Sequence, residues 1–251
     1  MREIWEFKEF WSDIKAKIIK MRKLDPDYSM GDSSHIHQYK INTTVSEKLI
    51  DLFETKNQIE LPLSYRTYLM YFGASGASDY CGTLDFNTHI SNIDVSNPSK
   101  LAVFDGTIML EPNEDHPIKQ KDGIVRIANG YNPTVPFLVL NGMAKGYIYA
   151  WNHDDVVTCH GDFSCWYEEW VDYNLVRLAD INKMRLVPAA TAFTELADIF
   201  PGDFKLDSFQ GVQFARHLNY DVVFQLDENK CVTTLHKRND FFKTIRSLNS
   251  N

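Results

Sequence analysis

The chain has 251 residues, 44% hydrophobic and 24% charged, which fits a globular protein of one large domain or two small ones. A formal net charge of −8 argues against a phosphate-backbone binder, which needs a Lys/Arg surface. A charged, amphipathic N-terminus (MREIWEFKEF), no apolar run of about 18 residues and four cysteines without a CxxC pair predict a reduced, soluble, cytoplasmic protein. Two disulfides stay open only for a protein exported without a signal.

The first 24 residues predict a helix. Ile4, Phe7, Trp11, Ile14, Ile18 and Met21 recur at spacings of three and four, and Trp5, Phe10 and Ile19 widen the stripe. Lys8, Lys15, Lys17, Lys20, Arg22 and Lys23 make the other face basic, but Glu3, Glu6, Glu9 and Asp13 dilute it. A docked helix is therefore favoured over a membrane anchor. Residues 25–43 read as a polar connecting loop. Val45–Lys56 predicts a second helix, N-capped by Ser46, with Val45, Leu49, Leu52 and Phe53 on one face. Pro62 opens a third, Leu63–Phe72, with Leu63, Tyr65, Tyr68, Leu69 and Phe72 apolar and Gly73 as its C-cap.

From Thr83 to His160 the periodicity is that of strands. Candidates are Leu101–Phe104, Ile124–Ala128, Phe137–Leu140, Tyr147–Trp151 and Val156–His160. Asn141-Gly142 is a hairpin signal, Gly146 relaxes the backbone, and Asp154-Asp155 makes another turn. Short strands with short links imply an antiparallel meander rather than βαβ units. Phe163–Leu178 turns helical, with Phe163, Trp166, Tyr167, Trp170 and Val171 on one side. In the tail, Pro188–Phe200 predicts a helix ending at Pro201-Gly202, and Phe204–Leu218 a short helix. Strands Tyr220–Leu226 and Cys231–His236 flank a hairpin at Asp227–Lys230, and Asn239–Leu248 closes as a helix.

Charge is uneven along the chain. Residues 84–180 hold 14 acidic and 6 basic residues, so the remainder balances to zero. An acidic centre suits a basic protein partner, because complementary charge speeds and selects encounters; it equally suits a solvated surface.

The residues carry no assembled catalytic motif. His35 and His37 lie near Asp32, and Cys159, His160 and Cys165 cluster, but neither set has the paired spacing of structural zinc. Alternation at Val157, Cys159 and Gly161 suggests instead a cysteine packed inward. There is no GxSxG elbow, and Cys81 with scattered histidines is a weak nucleophile signal. Gly73-Ala-Ser-Gly76 follows a helix, whereas a phosphate loop precedes one. Adjacent acids (Glu114-Asp115, Asp154-Asp155, Glu168-Glu169) read as exposed turns and helix surface. No metal and no cofactor is expected.

Three segments in order carry a resemblance: Leu61-Pro-Leu-Ser-Tyr-Arg-Thr-Tyr-Leu-Met-Tyr-Phe-Gly73 with the following Gly-rich loop and Tyr80, Asp122-Gly-Ile-Val-Arg-Ile-Ala-Asn-Gly130, and the strand–Asn141-Gly142–Gly146–aromatic strand unit leading to Phe163-Ser-Cys-Trp-Tyr-Glu-Glu-Trp170. Over residues 45–178 the chain resembles the SUKH superfamily, which takes in bacterial immunity proteins of polymorphic toxin systems and fungal Smi/Knr-type regulators of cell-wall synthesis. Asn129-Gly130-Tyr131-Asn132 departs from the pattern by lacking a second glycine, and the N-terminal helix and the tail lie outside it.

The expected fold is α+β: an antiparallel sheet of short strands with helices packed against it, an N-terminal helix and a mixed α/β C-terminal extension. The expected division is 1–44 helix and loop, 45–178 core and 179–251 extension. The resemblance implies a non-enzymatic protein that binds and neutralises a cognate toxin, while the acidic charge and the docked N-terminal helix argue against a nucleic acid or membrane partner. Its Pro62, Gly142, Gly146, Trp166 and Trp170 read as structural. Candidate contacts for a basic, nuclease-like toxin domain are Asp154, Asp155, Asp162, Glu168, Glu169 and Asp172, with Trp151 and Tyr167 nearby. A regulatory scaffold is the alternative reading, and an enzyme using Cys81 or Cys159 with a histidine the third.

Overall fold

Helix α1 spans Ile4–Leu24, and its burial follows the 3.6-residue period: Phe7, Trp11, Ile14, Ile18 and Met21 are buried. The stripe is narrower than expected, because Ile4, Trp5 and Ile19 face solvent, Trp5 at 63% exposure. The computed structural model describes residues 3–242 except 32, 80, 112–115, 129–133, 153, 201–203, 210, 221 and 238–240. Tyr80, the Asn129–Asn132 departure, Asp32, Glu114-Asp115, Pro201-Gly202 and all of the predicted closing helix but Phe241 and Phe242 therefore lie outside the described residues. The fold is α+β, with the helix α1 and two antiparallel sheets of five and four strands. The chain falls into two compact units, Met1–Leu175 and Val176–Asn251, so α1 belongs to the same unit as the first sheet.

The segment after α1 is not a plain connector. Asp25 is fully buried, and its carboxylate accepts from the backbone N–H of Ser29, Met30 and Gly31 and from the Tyr39 hydroxyl, at 2.9–3.0 Å. A short helix, α2 (Ser34–His37), lies between these partners. Helix α3 runs Glu47–Asn57 and buries Ile50 and Phe53, leaving Leu52 exposed. Its Glu47, Asp51 and Glu54 share one edge, where Arg66 reaches all three at 2.9–3.5 Å.

Helix α4 (Leu63–Thr67) widens into a π-helical turn over Tyr68–Phe72. The turn ends where Gly73 N–H donates to the Tyr68 carbonyl at 3.0 Å. Gly73 is extended rather than left-handed, so it is no αL cap; a Cβ there would lie 2.6 Å from the Asn42 carbonyl oxygen. Lys15 of α1 donates to the Tyr71 carbonyl at 2.7 Å, satisfying a carbonyl at the helix end.

The first sheet has the order β1-β5-β4-β3-β2, every pair antiparallel: β1 Gly106–Met109, β2 Ile124–Arg126, β3 Val135–Val139, β4 Tyr147–Trp151, β5 Val156–Asp162. Strands β2 to β5 form the expected meander. Leu101–Phe104 is not a strand. Leu101 and Phe104 pack onto the sheet face made by Ile124, Phe137, Val139, Tyr149 and Val157, and the Tyr149 hydroxyl donates to the Ala102 carbonyl at 2.8 Å. The strand forms instead at Gly106, where the chain reaches β5. Asn141-Gly142 lies, as expected, in the connection of an antiparallel hairpin, the loop from Leu140 to Gly146 between β3 and β4. The Asn141 amide donates to the Val95 and Ser96 carbonyls, and the Asn141 carbonyl accepts from Ser99 N–H, so the dipeptide clamps a distant loop.

A short helix, α5 (Pro117–Gln120), precedes β2. Helix α6 follows β5 and runs Phe163–Arg185, past the expected end at Leu178. Asp162 caps its start, accepting from Ser164 N–H at 2.8 Å and from the Ser64 hydroxyl of α4 at 2.8 Å. Phe163 and Tyr167 close on Trp11, whose ring centroid lies 4.7–6.1 Å from those of Phe10, Tyr68, Phe72, Phe163 and Tyr167. This aromatic junction ties α1, α4 and α6 together.

The second unit holds the end of α6, α7 (Phe193–Ile199) and a four-stranded sheet ordered β6-β7-β8-β9. Phe204–Leu218, expected to be a short helix, is a hairpin of β6 (Phe204–Phe209) and β7 (Val212–His217). Phe204 and Leu206 are partly buried while Lys205 and Asp207 are exposed, a period-two alternation that breaks at Ser208 and Phe209 beside the turn. Strands β8 (Val222–Leu226) and β9 (Val232–Lys237) flank the Asp227–Lys230 turn, where the Asp227 carboxylate accepts from Asn229 and Cys231 N–H.

Candidate protein-binding surface

Strand β5 divides the expected contact residues. Its seven residues separate the Asp154-Asp155 turn from the start of α6 by about 20 Å. On the turn, Asp154 is exposed, but Asp155 is half-buried and engaged. It accepts from Trp151 Nε1 at 3.3 Å and pairs with Lys119 at 3.2 Å. Asp162 is committed to capping α6. Tyr167 is fully buried, its hydroxyl donating to the Ala77 carbonyl, so it offers no surface to a partner. That corrects its expected role: the helix turns it to the aromatic junction, with Trp166 and Trp170, rather than outward. Trp151 is half-buried against the first sheet's core.

What α6 turns outward in this unit is Cys165, Glu169, Asp172 and Tyr173, spaced by four, three and one residues along a helical face, with Glu168 half-buried beside them. Tyr173 is 56% exposed. Asp172 pairs with Lys17 of α1 at 2.9 Å, and Lys17 also meets Asp13 at 3.2 Å. Burial pulls the Lys17 ammonium down, but Asp172 and Asp13 outweigh it and hold its pKa above the ordinary value. One lysine thus serves two carboxylates, and Glu169 adds a third, leaving the face acidic. Tyr173 was not among the expected contacts, although its place four residues after Glu169 marked it as an outward residue.

The cysteine and histidine groups are arranged differently from either chemical reading. All four cysteines are free thiols. Cys81 donates to the Ser33 hydroxyl at 3.6 Å, and no histidine nitrogen among the described residues bonds it. His37 is buried against Trp170 and Tyr39, and its Nδ1 accepts from Tyr39 N–H at 3.0 Å. Strand alternation sends Cys159 and His160 to opposite faces, and Cys159 packs on the core. Burial lowers the His160 pKa despite the nearby Glu169. Among the described residues no group of three or more His, Cys, Asp or Glu side chains is placed to hold a metal ion. No helix among them is long and apolar enough to cross a membrane.

One feature escaped the sequence altogether: a groove of about 540 Å³ beside Trp151, lined by Phe137, Val135, Ile124, Arg126 and Lys121. Its members come from three strands and three connecting segments, and the cross-strand register brings the strand residues together.

These features describe an α+β protein with an outward acidic helix face and a separate apolar groove. Scans against protein-family models, curated proteins and solved structures each returned no match.

Proposed function

We propose that this chain is an immunity-type binding protein that neutralises a cognate toxin by direct contact, and that the partner's docking surface is basic. The observation that carries the reading is the outward face of α6, where Glu169 and Asp172 flank the exposed Tyr173. An aromatic anchor rimmed by like charges is the arrangement that gives affinity and selects a partner of opposite sign. The order and spacing of the SUKH-like segments, and an antiparallel meander followed by an aromatic-faced helix, support the same reading. The buried Tyr167 drops out of the contact set, and Tyr173 takes its place.

The test is co-expression with the product of the adjacent gene, scored by growth. The reading expects that product to be toxic alone and harmless with this chain. Toxicity that this chain does not relieve, together with no measurable complex, would remove the proposal.

A further inference from the structure

The groove beside Trp151 is built by strand pairing. Arg126 of β2 lies opposite Phe137 of β3, and Val135 of β3 opposite Trp151 of β4. Residues two apart share a sheet face, so Ile124, Arg126, Val135, Phe137 and Trp151 all project to one side. The indole of Trp151 is held by its bond to Asp155. Ile93, Asp94, Lys121 and Asn152 complete the rim. The volume, about 540 Å³, falls within the range of small-molecule sites, which are apolar clefts with a few placed polar groups.

The rim's charges are unequal in their commitments. Asp94 already accepts from Ser96 N–H at 3.0 Å and the Ser96 hydroxyl at 2.7 Å. Arg126 spends Nε on the Ala128 carbonyl at 2.9 Å, which leaves the outer edge of its guanidinium to face the groove. Neither that edge nor the Lys121 ammonium has an ion-pair or hydrogen-bond partner among the described residues, and both side chains are exposed. Two uncommitted cations beside an apolar wall, in a chain of net charge −8, mark an anion's place. With Asp94 counted, the rim carries one net positive charge, which matches a monoanion better than a phosphate dianion. A planar guanidinium suits a carboxylate bidentately.

We propose that this groove binds a small apolar carboxylate, an aromatic or branched aliphatic body lying against Phe137, Val135, Ile124 and Trp151 with its carboxylate between Arg126 and Lys121. The ligand has the opposite sign to the partner of the acidic α6 face, so this site stands or falls independently of that reading.

The full chain is titrated with 3-phenylpropionate and 4-methylpentanoate, with 3-phenylpropionamide as the uncharged control and phenyl phosphate as the dianion. The five tryptophan indole N–H resonances are followed by NMR, Trp151→Phe identifying its peak. The expected result is a saturable shift at Trp151 with a dissociation constant below about 1 mM for the acids and about tenfold weaker binding of the amide. Arg126→Gln combined with Lys121→Gln should erase the difference between acid and amide while leaving the thermal midpoint unchanged. No saturable shift at Trp151, or shifts at other indoles only, overturns the site. Equal binding of acid and amide overturns the role of the cations, and tighter binding of phenyl phosphate overturns the carboxylate assignment.

Discussion

Replacing Trp11 by Ala should destabilise the first unit severely, while the same change at Trp5 on the same helix should barely register. Trp11 is fully buried, meets five aromatic rings and donates from Nε1 to the Thr67 hydroxyl at 3.1 Å. A buried Trp→Ala change costs about 3–5 kcal/mol, because lost apolar transfer adds to a cavity that rigid neighbours cannot fill. Thr67 also loses a donor, although its hydroxyl keeps the Leu63 carbonyl at 2.8 Å as acceptor, so that contribution is the smaller. For a unit of this size each kcal/mol shifts the thermal midpoint by about 2–4 °C, so the transition should fall by roughly 6–20 °C. Trp5 is 63% exposed, and its removal should stay within about 0.5 kcal/mol. Urea unfolding followed by circular dichroism and by the remaining tryptophans reads both. A Trp11→Ala loss below about 1 kcal/mol would refute the aromatic junction as the tie between α1, α4 and α6.

Asp25→Asn should cost about 2–3 kcal/mol, since it weakens charge-assisted bonds from three backbone amides and the Tyr39 hydroxyl. Burial alone would raise the Asp25 pKa, but the Gly31 and Met30 amides outweigh it and hold it low. Its contribution is therefore present above the unfolded value near 3.9 and is lost as pH falls through the lower folded value; Asp25→Asn should flatten that acid loss in urea titrations. Burial holds the His160 pKa low as well. The unfolded chain then binds the extra proton first, so stability should decline as pH falls through about 6.5, and His160→Gln should remove that slope. Gly142→Ala should cost about 2 kcal/mol or more, because φ is +125° and a Cβ would run into the Ser99 backbone. Gly211→Ala, at φ +83° with open space around it, should cost only about 1 kcal/mol by thermal melts.

What the sequence made legible was local and strongly periodic. Tyr147–Trp151 is a strand with the expected bounds, and α1 buries the expected Phe7, Trp11, Ile14, Ile18 and Met21. Misses arose where a signal had more than one physical meaning or reached beyond its own segment. Asn141-Gly142 does sit in the β3–β4 hairpin connection, but its amide and carbonyl also serve residues 95–99, which no local pattern announces. Phe204–Leu218 mixes aromatics and charges at spacings that fit helix or strand, and pairing with β8 decided for strand. Edge strand β1 exposes most of its side chains, so it lacks the apolar alternation that marks a half-buried strand.

The site was legible in charge and not in geometry. The acids of α6 were named, but the helix turned Tyr167 inward and Tyr173 outward, a distinction that depends on which face α1 and α4 cover. Asp25 fell within the polar loop read over residues 25–43, because its partners are three backbone amides and the distant Tyr39 hydroxyl, which no local pattern marks. The groove needed the register of β2, β3 and β4 before Arg126, Phe137 and Trp151 became neighbours.

The most direct measurement is a calorimetric titration of this chain with the purified product of the adjacent gene, repeated with the Glu169→Lys, Asp172→Lys double variant and with Tyr173→Ala. The expected result is one-to-one binding that weakens as salt rises and that each variant weakens about tenfold or more. The Tyr173→Ala midpoint should stay unchanged, and the double variant, which loses the Lys17–Asp172 pair, should melt no more than about 4 °C lower. Wild-type affinity in both variants would contradict the α6 face as the docking surface, and absence of binding by the wild type would contradict the proposed function itself.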